Sequence, residues 1–252
     1  MATWIAHLRV AEGLLPLYDG IDEEQFSIGH VAPDSGIPDS DWKMFDPPRE
    51  ITHYRRTEAP GEHGFEDMAF YRQHLATLGV ATCDSPQHAF LLGYWMHLIT
   101  DNLWRQVIWR PARDRYAHTF PTLHGLIVAL KKDWYGLDRL YVETHPESLF
   151  WRVFLDAQYT ESFIASIPAE AIQVGLQNKK AYYLDQEALR AAHEHEYTYL
   201  VATDIDAFCQ LAIERIASII ETLARPGIAI DGTFSALDLH TPIPTHPKAT
   251  RS

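Results

Sequence analysis

The segment from Gly93 to Asp101 constrains this chain most, because it places a histidine and an aspartate four residues apart in a helical, mostly apolar sequence. A helix completes a turn in about 3.6 residues, so His97 and Asp101 point from the same face. The two side chains are close enough to bind one metal ion or to hydrogen-bond each other. A buried His–Asp hydrogen bond is the simpler interpretation of the pair alone, and both interpretations stay open at this stage.

Apolar residues recur at helical spacing along most of the chain, whereas sustained strand-type alternation is almost absent. We therefore predict an all-α fold, a single-domain multi-helix bundle over residues 1–225, followed by an irregular C-terminal tail over 226–252. Residues 21–64 are rich in Pro, Asp and Gly and predict a long irregular segment, which is often functional. Helices are predicted at 4–18, 65–78, 85–109 and 122–141, from 146, from 168, and over 185–223 as one helix or two.

The 252-residue chain is long enough to bury a sizeable core, and its 46% hydrophobic content excludes disorder for most of its length. Its formal net charge of -13 argues against binding duplex nucleic acid or an anionic membrane surface. An anionic substrate would need a local positive charge, which a bound metal ion would supply.

The remaining bulk features suggest a cytoplasmic location. Cys83 and Cys209 lie far apart and outside any metal-ligand spacing, so we interpret both as free core or surface thiols. The amino-terminal sequence has no secretory pattern, and no apolar run approaches the length needed to span a membrane. The oligomeric state is left open.

Candidate metal ligands occur along the chain in the order His7, Asp34, His53, His97 and Asp101. Neutral imidazole and carboxylate are the donors that zinc accepts, and a catalytic site keeps a position for water. Each residue also has an ordinary explanation: His7 as a core or surface histidine, Asp34 as a turn residue, and His53 as part of the irregular segment. The His193-Glu194-His195-Glu196 run is interpreted as a solvated helix face, because neighbouring positions on a helix point apart.

Three pieces of sequence resemble the zinc-dependent phospholipase C family, whose superfamily includes the single-strand-specific zinc nucleases. The pieces are an early Trp4 and His7, a Phe-x-x-Gly-x-x-x-Pro-Asp segment from Phe26 to Asp34, and a Gly-Tyr-x-x-His-x-x-x-Asp helix from Gly93 to Asp101. The resemblance covers roughly the first 105 residues and implies an all-α metal-dependent hydrolase of phosphate esters or phosphodiesters.

Carried over residue by residue, the resemblance implies that Asp34, His53, His97 and Asp101 surround one ion. Asp101 would bridge to a second ion held by His7. The family places further ligands after the helix motif, and this chain lacks that pattern, so one or two ions are expected. One of the aspartates Asp133 and Asp138 could still face the site, and Asp138 is the better candidate for an additional ligand. Zinc is the first choice, and iron, manganese and nickel accept similar donor sets.

The sequence also suggests which residues would act on a small phosphorylated substrate. Asp34 is the candidate that orients the attacking water or takes its proton. Arg55, Arg56 and Arg105 are candidates for holding the phosphate, with ordinary surface charge as the alternative. Two rival functions remain: a non-catalytic binding module with a reduced or structural metal site, and a helical bundle whose histidines are only structural.

Overall fold

A central helix that is buried from His88 to Trp104 organises the fold. The computed structural model describes residues 1–41, 44–55, 64–228, 230 and 232–239. Ten α-helices occur in these residues. They are α1 (Trp4–Leu14), α2 (Glu23–Gly29), α3 (Arg49–Thr52), α4 (Asp67–Phe70), α5 (Pro86–Trp104), α6 (Arg110–Tyr116), α7 (Leu123–Thr144), α8 (Ala169–Leu184), α9 (Gln186–Glu194) and α10 (Ala202–Leu223).

Shorter elements connect these helices. Two-residue strands β1 (Ile37–Pro38) and β2 (Phe45–Asp46) pair antiparallel. Three segments form π-helical turns, namely Tyr71–Leu75, Arg105–Trp109 and Phe150–Phe154. Four segments form 3₁₀ turns, namely Leu15–Leu17, Ala32–Asp34, Ala117–Thr119 and Ala236–Leu239. The predicted all-α class is confirmed.

Local sequence signals explain where the long helices begin. The hydroxyl groups of Thr3, Ser85 and Thr122 each accept a hydrogen bond from a backbone N–H in the first turn of α1, α5 and α7. Pro86 follows the Ser85 cap, where its missing N–H costs nothing. Nearly every residue of α5 from His88 to Trp104 is buried. A helix that is apolar all round belongs in the core, and α1, α2, α4 and α10 all pack on α5.

Two glycines bring α2 and α5 unusually close together. A Cβ atom added at Gly29 would overlap the carbonyl oxygen of Phe90, and one added at Gly93 would overlap the carbonyl oxygen of Phe26. The backbones of the two helices are therefore in direct contact, and no larger residue fits at either position. This contact sets the distance between the end of α2 and the middle of α5, where His97 lies.

Several predicted elements require correction. Residues 21–64 are not wholly irregular, because their described part contains α2, β1, β2, α3 and a 3₁₀ turn. The predicted stop at Arg110-Pro111 is wrong, since the helical path continues from α5 through the π-helical turn into α6. A π-helical turn shifts the hydrogen-bond register, so the amide that Pro111 lacks need not break the path.

The second half of the chain also differs in detail. Helix α7 runs through Gly136 and ends at Thr144, three residues beyond the predicted end. The helix predicted from Pro146 is only the short π-helical turn, whereas the predicted start near Pro168 is correct. The segment 185–223 forms two helices, α9 and α10.

The C-terminal segment is anchored where the structure describes it. Residues predicted as an irregular tail include a 3₁₀ turn at Ala236–Leu239, and Ala236 and Ser235 are buried. The Asp67 carboxylate accepts hydrogen bonds from the Ser235 hydroxyl and the Ala236 amide. The rest of that prediction, residues 240–252, lies outside the described residues. Among the helices that are described, none has the length and apolarity to cross a membrane.

Candidate metal centre

Four separate elements deliver the predicted ligands to one place. His7 comes from α1, Asp34 from the 3₁₀ turn after α2, His53 from the end of α3, and His97 with Asp101 from α5. The side chains of the three histidines and of Asp101 are fully buried, and that of Asp34 is 5% exposed. The structure therefore brings residues that are spread over 95 positions of the sequence together in the interior of the protein.

One group of donor atoms forms around His53 and His97. Their Nε2 atoms are 3.4 Å apart, and His53 Nε2 lies 3.3 Å from Asp34 Oδ1. Asp101 Oδ2 lies 3.6 Å from His97 Nε2 and 3.8 Å from His53 Nε2. Donor atoms at about 2.0–2.1 Å from a tetrahedral ion are about 3.3–3.4 Å apart. The observed separations are therefore close to those of ligands around one ion.

A second group shares residues with the first. His7 Nε2 lies 3.3 Å from Asp101 Oδ1, and the His7 ring stacks on the His97 ring at a centroid distance of 3.8 Å. His7, His97 and Asp101 each offer a donor atom, all within 4.8 Å of one another. Asp101 thus faces both groups with different oxygens, as a bridging carboxylate would.

Neighbouring groups set the orientation of the histidine rings. His97 Nδ1 lies 2.8 Å from the carbonyl oxygen of His30, which can only accept, so Nδ1 carries the proton. In the neutral ring the lone pair is then on Nε2, the atom that faces His53 and Asp101. His53 Nδ1 lies 2.9 Å from the Thr52 hydroxyl. Such hydrogen bonds hold metal-binding histidines in position.

Asp34 is also held from several sides. Trp4 Nε1 donates to Asp34 Oδ2 at 3.0 Å, and an Arg49 guanidinium nitrogen lies 3.0 Å from Asp34 Oδ1. The buried Lys179 ammonium donates to the Asp34 carbonyl oxygen at 3.0 Å. Both carboxylate oxygens therefore have protein partners, which favours a fixed ligand over a mobile proton acceptor.

The pKa shifts of His7, His53, Asp34 and Asp101 favour the protonation states that metal binding requires. Burial, followed by the charge of His97, lowers the pKa of His7 to about 4, and burial also lowers the pKa of His53. Burial opposes ionisation of Asp34, but the His53 contact and the Arg49 charge hold its pKa well below the usual range. Contacts with His7 and His97 do the same for the pKa of Asp101. At neutral pH the neutral imidazoles of His7 and His53 therefore face ionised carboxylates.

Hydrogen bonding alone does not satisfy this cluster. Neither His7 ring nitrogen has a hydrogen-bond partner among the described residues, and the same holds for Asp101 Oδ2. Hydrogen bonds between a charged donor and a carboxylate measure about 2.7–2.9 Å, shorter than the His–Asp separations here. Buried carboxylates need a partner, and a metal ion between Asp34 and Asp101 would supply one. The buried His and Asp groups can hold a metal ion.

The structure does not bring Asp138 into this cluster. Its Oδ1 accepts a hydrogen bond from the Thr3 hydroxyl at 2.7 Å, and its Oδ2 accepts one from the Tyr183 hydroxyl at 2.6 Å. Burial raises the pKa of Asp138 to about 7. Asp138 therefore anchors the start of α1 to α7 and α8, a structural role in place of the predicted metal ligation.

A cavity of about 380 Å³ opens beside the metal centre, and His53 and Asp101 form part of its wall. Arg55 and Arg105, both predicted to hold phosphate, line it, and Arg55 also pairs with Glu50 at 3.6 Å. Arg56 lies outside the described residues. Asp34 is not among the lining residues, so its predicted role toward an attacking water has no direct geometric support.

Two cationic residues of this cavity were not predicted from the sequence. Arg49 and Lys131 line it together with the aromatic rings of Phe65, Trp109, Trp134 and Tyr135. Arg49 lies four residues before His53, and this proximity was the available signal. Lys131 had none, because it reaches the site only through the packing of α7.

No protein-family model, curated protein or solved structure matches this chain.

Proposed function

We propose that this protein is a metal-dependent hydrolase that acts on a small phosphate ester or phosphodiester. The observation that carries the proposal is the contact between His53 Nε2, His97 Nε2 and Asp101 Oδ2, at 3.4–3.8 Å, beside a cavity with a cationic wall. When bound, the ion polarises a phosphoryl oxygen and lowers the pKa of a water molecule. The resemblance to zinc-dependent phospholipase C supports the same reaction class.

The donor set indicates which residues hold the ion. Asp34, His53, His97 and Asp101 form the first site, and His7 with Asp101 contributes to a second. Mixed imidazole and carboxylate donors suit zinc, and they also suit iron, manganese or nickel. Because both Asp34 oxygens already have protein partners, we assign Asp34 the role of a ligand that is held in place.

The cavity wall supplies binding and orientation. Arg49, Arg55, Arg105 and Lys131 concentrate positive charge there, although the whole chain carries a net charge of -13. Guanidinium groups match the oxygens of a phosphate in pairs, so these side chains favour a phosphoryl group over a neutral substrate. The aromatic rings that line the cavity would strengthen these electrostatic contacts where a bound substrate displaces water.

The size of the cavity limits the substrate. A volume of about 380 Å³ lies at the lower end of the range for small-molecule sites. It accommodates a phosphorylated small molecule or one residue of a longer chain. The acidic surface disfavours a long polyanion.

The test combines metal analysis with a hydrolysis screen on the purified full-length chain. We expect one to two equivalents of zinc, iron, manganese or nickel, together with hydrolysis of bis(p-nitrophenyl) phosphate or p-nitrophenyl phosphate by the loaded protein. His53→Ala and Asp101→Ala should lose both metal and activity. His88→Gln is the matched control, because His88 is also buried but bonds Gly79 and Asp84 away from the site.

The outcomes separate the rival functions. Bound metal without hydrolysis of either ester would favour the metal-stabilised binding module. If the protein retains no metal after reconstitution with each ion, the hydrolase proposal is refuted. The result would then favour a helical bundle whose histidines are only structural.

A further inference from the structure

A second cavity, of about 550 Å³, lies between α7 and α9. Its wall includes Lys131, Lys132, Tyr135 and Arg139 of α7, Tyr182 of α8, and His195 just after α9. Lys131 and Tyr135 also line the cavity beside the metal centre. The two cavities are therefore neighbours on the same helix, and we call the second one the α7–α9 cavity.

The charged residues in the wall of the α7–α9 cavity are all positive. Two lysines and one arginine line it together with His195, and no aspartate or glutamate from the described part of the chain does, although the sequence contains 34 acidic residues. Small residues, namely Gly136, Ala188, Ala191 and Ala192, make up much of the remaining wall. A cavity of this kind attracts an anion and concentrates it locally.

Arg139 is a buried cation without a counter-ion in the described part of the chain. It is 6% exposed, its Nη2 donates to the Tyr182 carbonyl at 3.0 Å, and its guanidinium lies 3.8 Å from the Tyr182 ring centroid. Its Nε has no hydrogen-bond partner among those residues, and no carboxylate pairs with it. A buried charge is costly unless it is paired, so an anion at Arg139 would remove this cost.

His195 is held in place by a buried carboxylate. Its Nε2 lies 2.6 Å from Asp133 Oδ1, and the amides of Tyr199 and Leu200 donate to Asp133 Oδ2. These bonds fix the ring with Nε2 as the donor to Asp133, and in the imidazolium form Nδ1 is a second donor that could contact an anion. The side chain is 29% exposed at the cavity. His195 thus differs from the solvated histidine expected from its sequence, because Asp133 holds its ring at the wall of the cavity.

We propose that the α7–α9 cavity is a second anion-binding site, which takes a phosphate group between Lys132, Arg139 and His195. The proposal does not depend on hydrolysis at the metal centre. Because Lys131 and Tyr135 belong to both cavities, the phosphate is either the distal group of a ligand that spans them or a separate molecule. The chemistry of the site is the same for both sources.

The test follows the His195 ring signals by NMR while inorganic phosphate is added to the full-length chain. We expect a saturable shift that persists after treatment with a chelator, since no metal ligand lines this cavity. Lys132→Gln should weaken the measured affinity several-fold. Arg139→Lys, which keeps the charge but loses the planar fork, should weaken it at least about tenfold. Arg225→Gln removes an exposed charge elsewhere and should have no effect.

A second titration identifies the source of the phosphate. If one ligand spans both cavities, 1,4-butanediol bisphosphate should bind more tightly than phosphate, and Arg49→Gln should weaken only the bisphosphate. If the phosphate is a separate molecule, the two probes should bind equally, and Arg49→Gln should have no effect. The absence of a saturable His195 shift, or equal affinity in wild type, Lys132→Gln and Arg139→Lys, would overturn the proposal.

Discussion

Thr52 contacts the candidate metal centre from outside the set of candidate ligands. Its buried hydroxyl lies 2.9 Å from His53 Nδ1. Replacing it by valine keeps the shape but removes the partner that fixes the ring and its tautomer. Loss of such a partner typically costs about 10–100-fold in metal affinity, and we expect Thr52→Val to fall in this range in a competition assay with a chelating dye.

The neighbouring helix offers a matched control for that change. Thr100 is equally buried, but its hydroxyl bonds only the Met96 carbonyl of its own helix. Thr100→Val should therefore leave the affinity unchanged. Equal affinity in wild type and Thr52→Val would show that this hydroxyl does not support the ligand.

Asp138 was a candidate metal ligand, but the structure places it outside the cluster, and a substitution tests this placement. Asp138→Asn weakens hydrogen bonds to Thr3 and Tyr183 in a buried setting. We expect the free energy of unfolding to fall by about 1–3 kcal/mol, measured by denaturant titration. Metal content should stay at the wild-type level, and its loss would return Asp138 to the ligand set.

At the scale of elements, the contact between α2 and α5 positions the site. A methyl group at Gly93 would overlap the Phe26 carbonyl and lie 3.0 Å from the His30 amide nitrogen. Gly93→Ala should therefore push the helices apart, at a cost of about 3 kcal/mol, near the top of the usual range for overpacking. The shift would also move the His30 carbonyl away from His97, so metal affinity should fall as well.

Gly125→Ala is the matched control for the helix contact. A Cβ atom at Gly125 would meet its nearest neighbours at 3.5 Å, an ordinary contact, and the residue lies within α7. Alanine is favoured over glycine in a helix by roughly 0.5–1 kcal/mol. This variant should be as stable as the wild type or more stable. Wild-type stability of Gly93→Ala would contradict the close helix contact.

At the scale of the whole molecule, metal binding should stabilise the fold. The ligands come from α1, α3, α5 and the turn after α2, so an ion cross-links elements that are distant in sequence. Metal at about 100 times its dissociation constant contributes about 2.7 kcal/mol. For a chain of this length that corresponds to a rise in Tm of roughly 5–10 °C, measurable by calorimetry with and without chelator. An unchanged Tm in wild type would contradict a native metal site.

Asp67 links stability to pH. Burial raises its pKa to about 7 from 3.8, although Ser235, Ala236 and Asn102 donate to it. Because the carboxyl group holds its proton more tightly in the folded state, its contribution to stability is fully present below the pKa of the unfolded state. This contribution is lost as the pH rises through about 7, the pKa of the folded state. The Asp67→Asn side chain cannot ionise. The free energy of unfolding of this variant, relative to that of the wild type, should therefore increase between about pH 4 and pH 7 in denaturant titrations. A constant difference would refute the raised pKa.

The helical spacing of apolar residues was sufficient to predict the all-α class. The spacing of four residues was sufficient to predict that His97 and Asp101 lie next to each other. Both depend on local geometry, which a helix sets by itself. The motif with Phe26 and Asp34 likewise pointed to a residue that does reach the cluster. The role of each as a metal ligand stays a prediction.

Packing between distant elements decided the rest. Arg49 and Lys131 reach the metal-side cavity, Asp138 turns to Thr3 and Tyr183, and Asp133 captures His195, because helices far apart in sequence meet there. Such contacts depend on crossing angles and close approach, as at Gly29 and Gly93. Local spacing carries no information about which charged side chains then face one another, so these assignments required the three-dimensional arrangement.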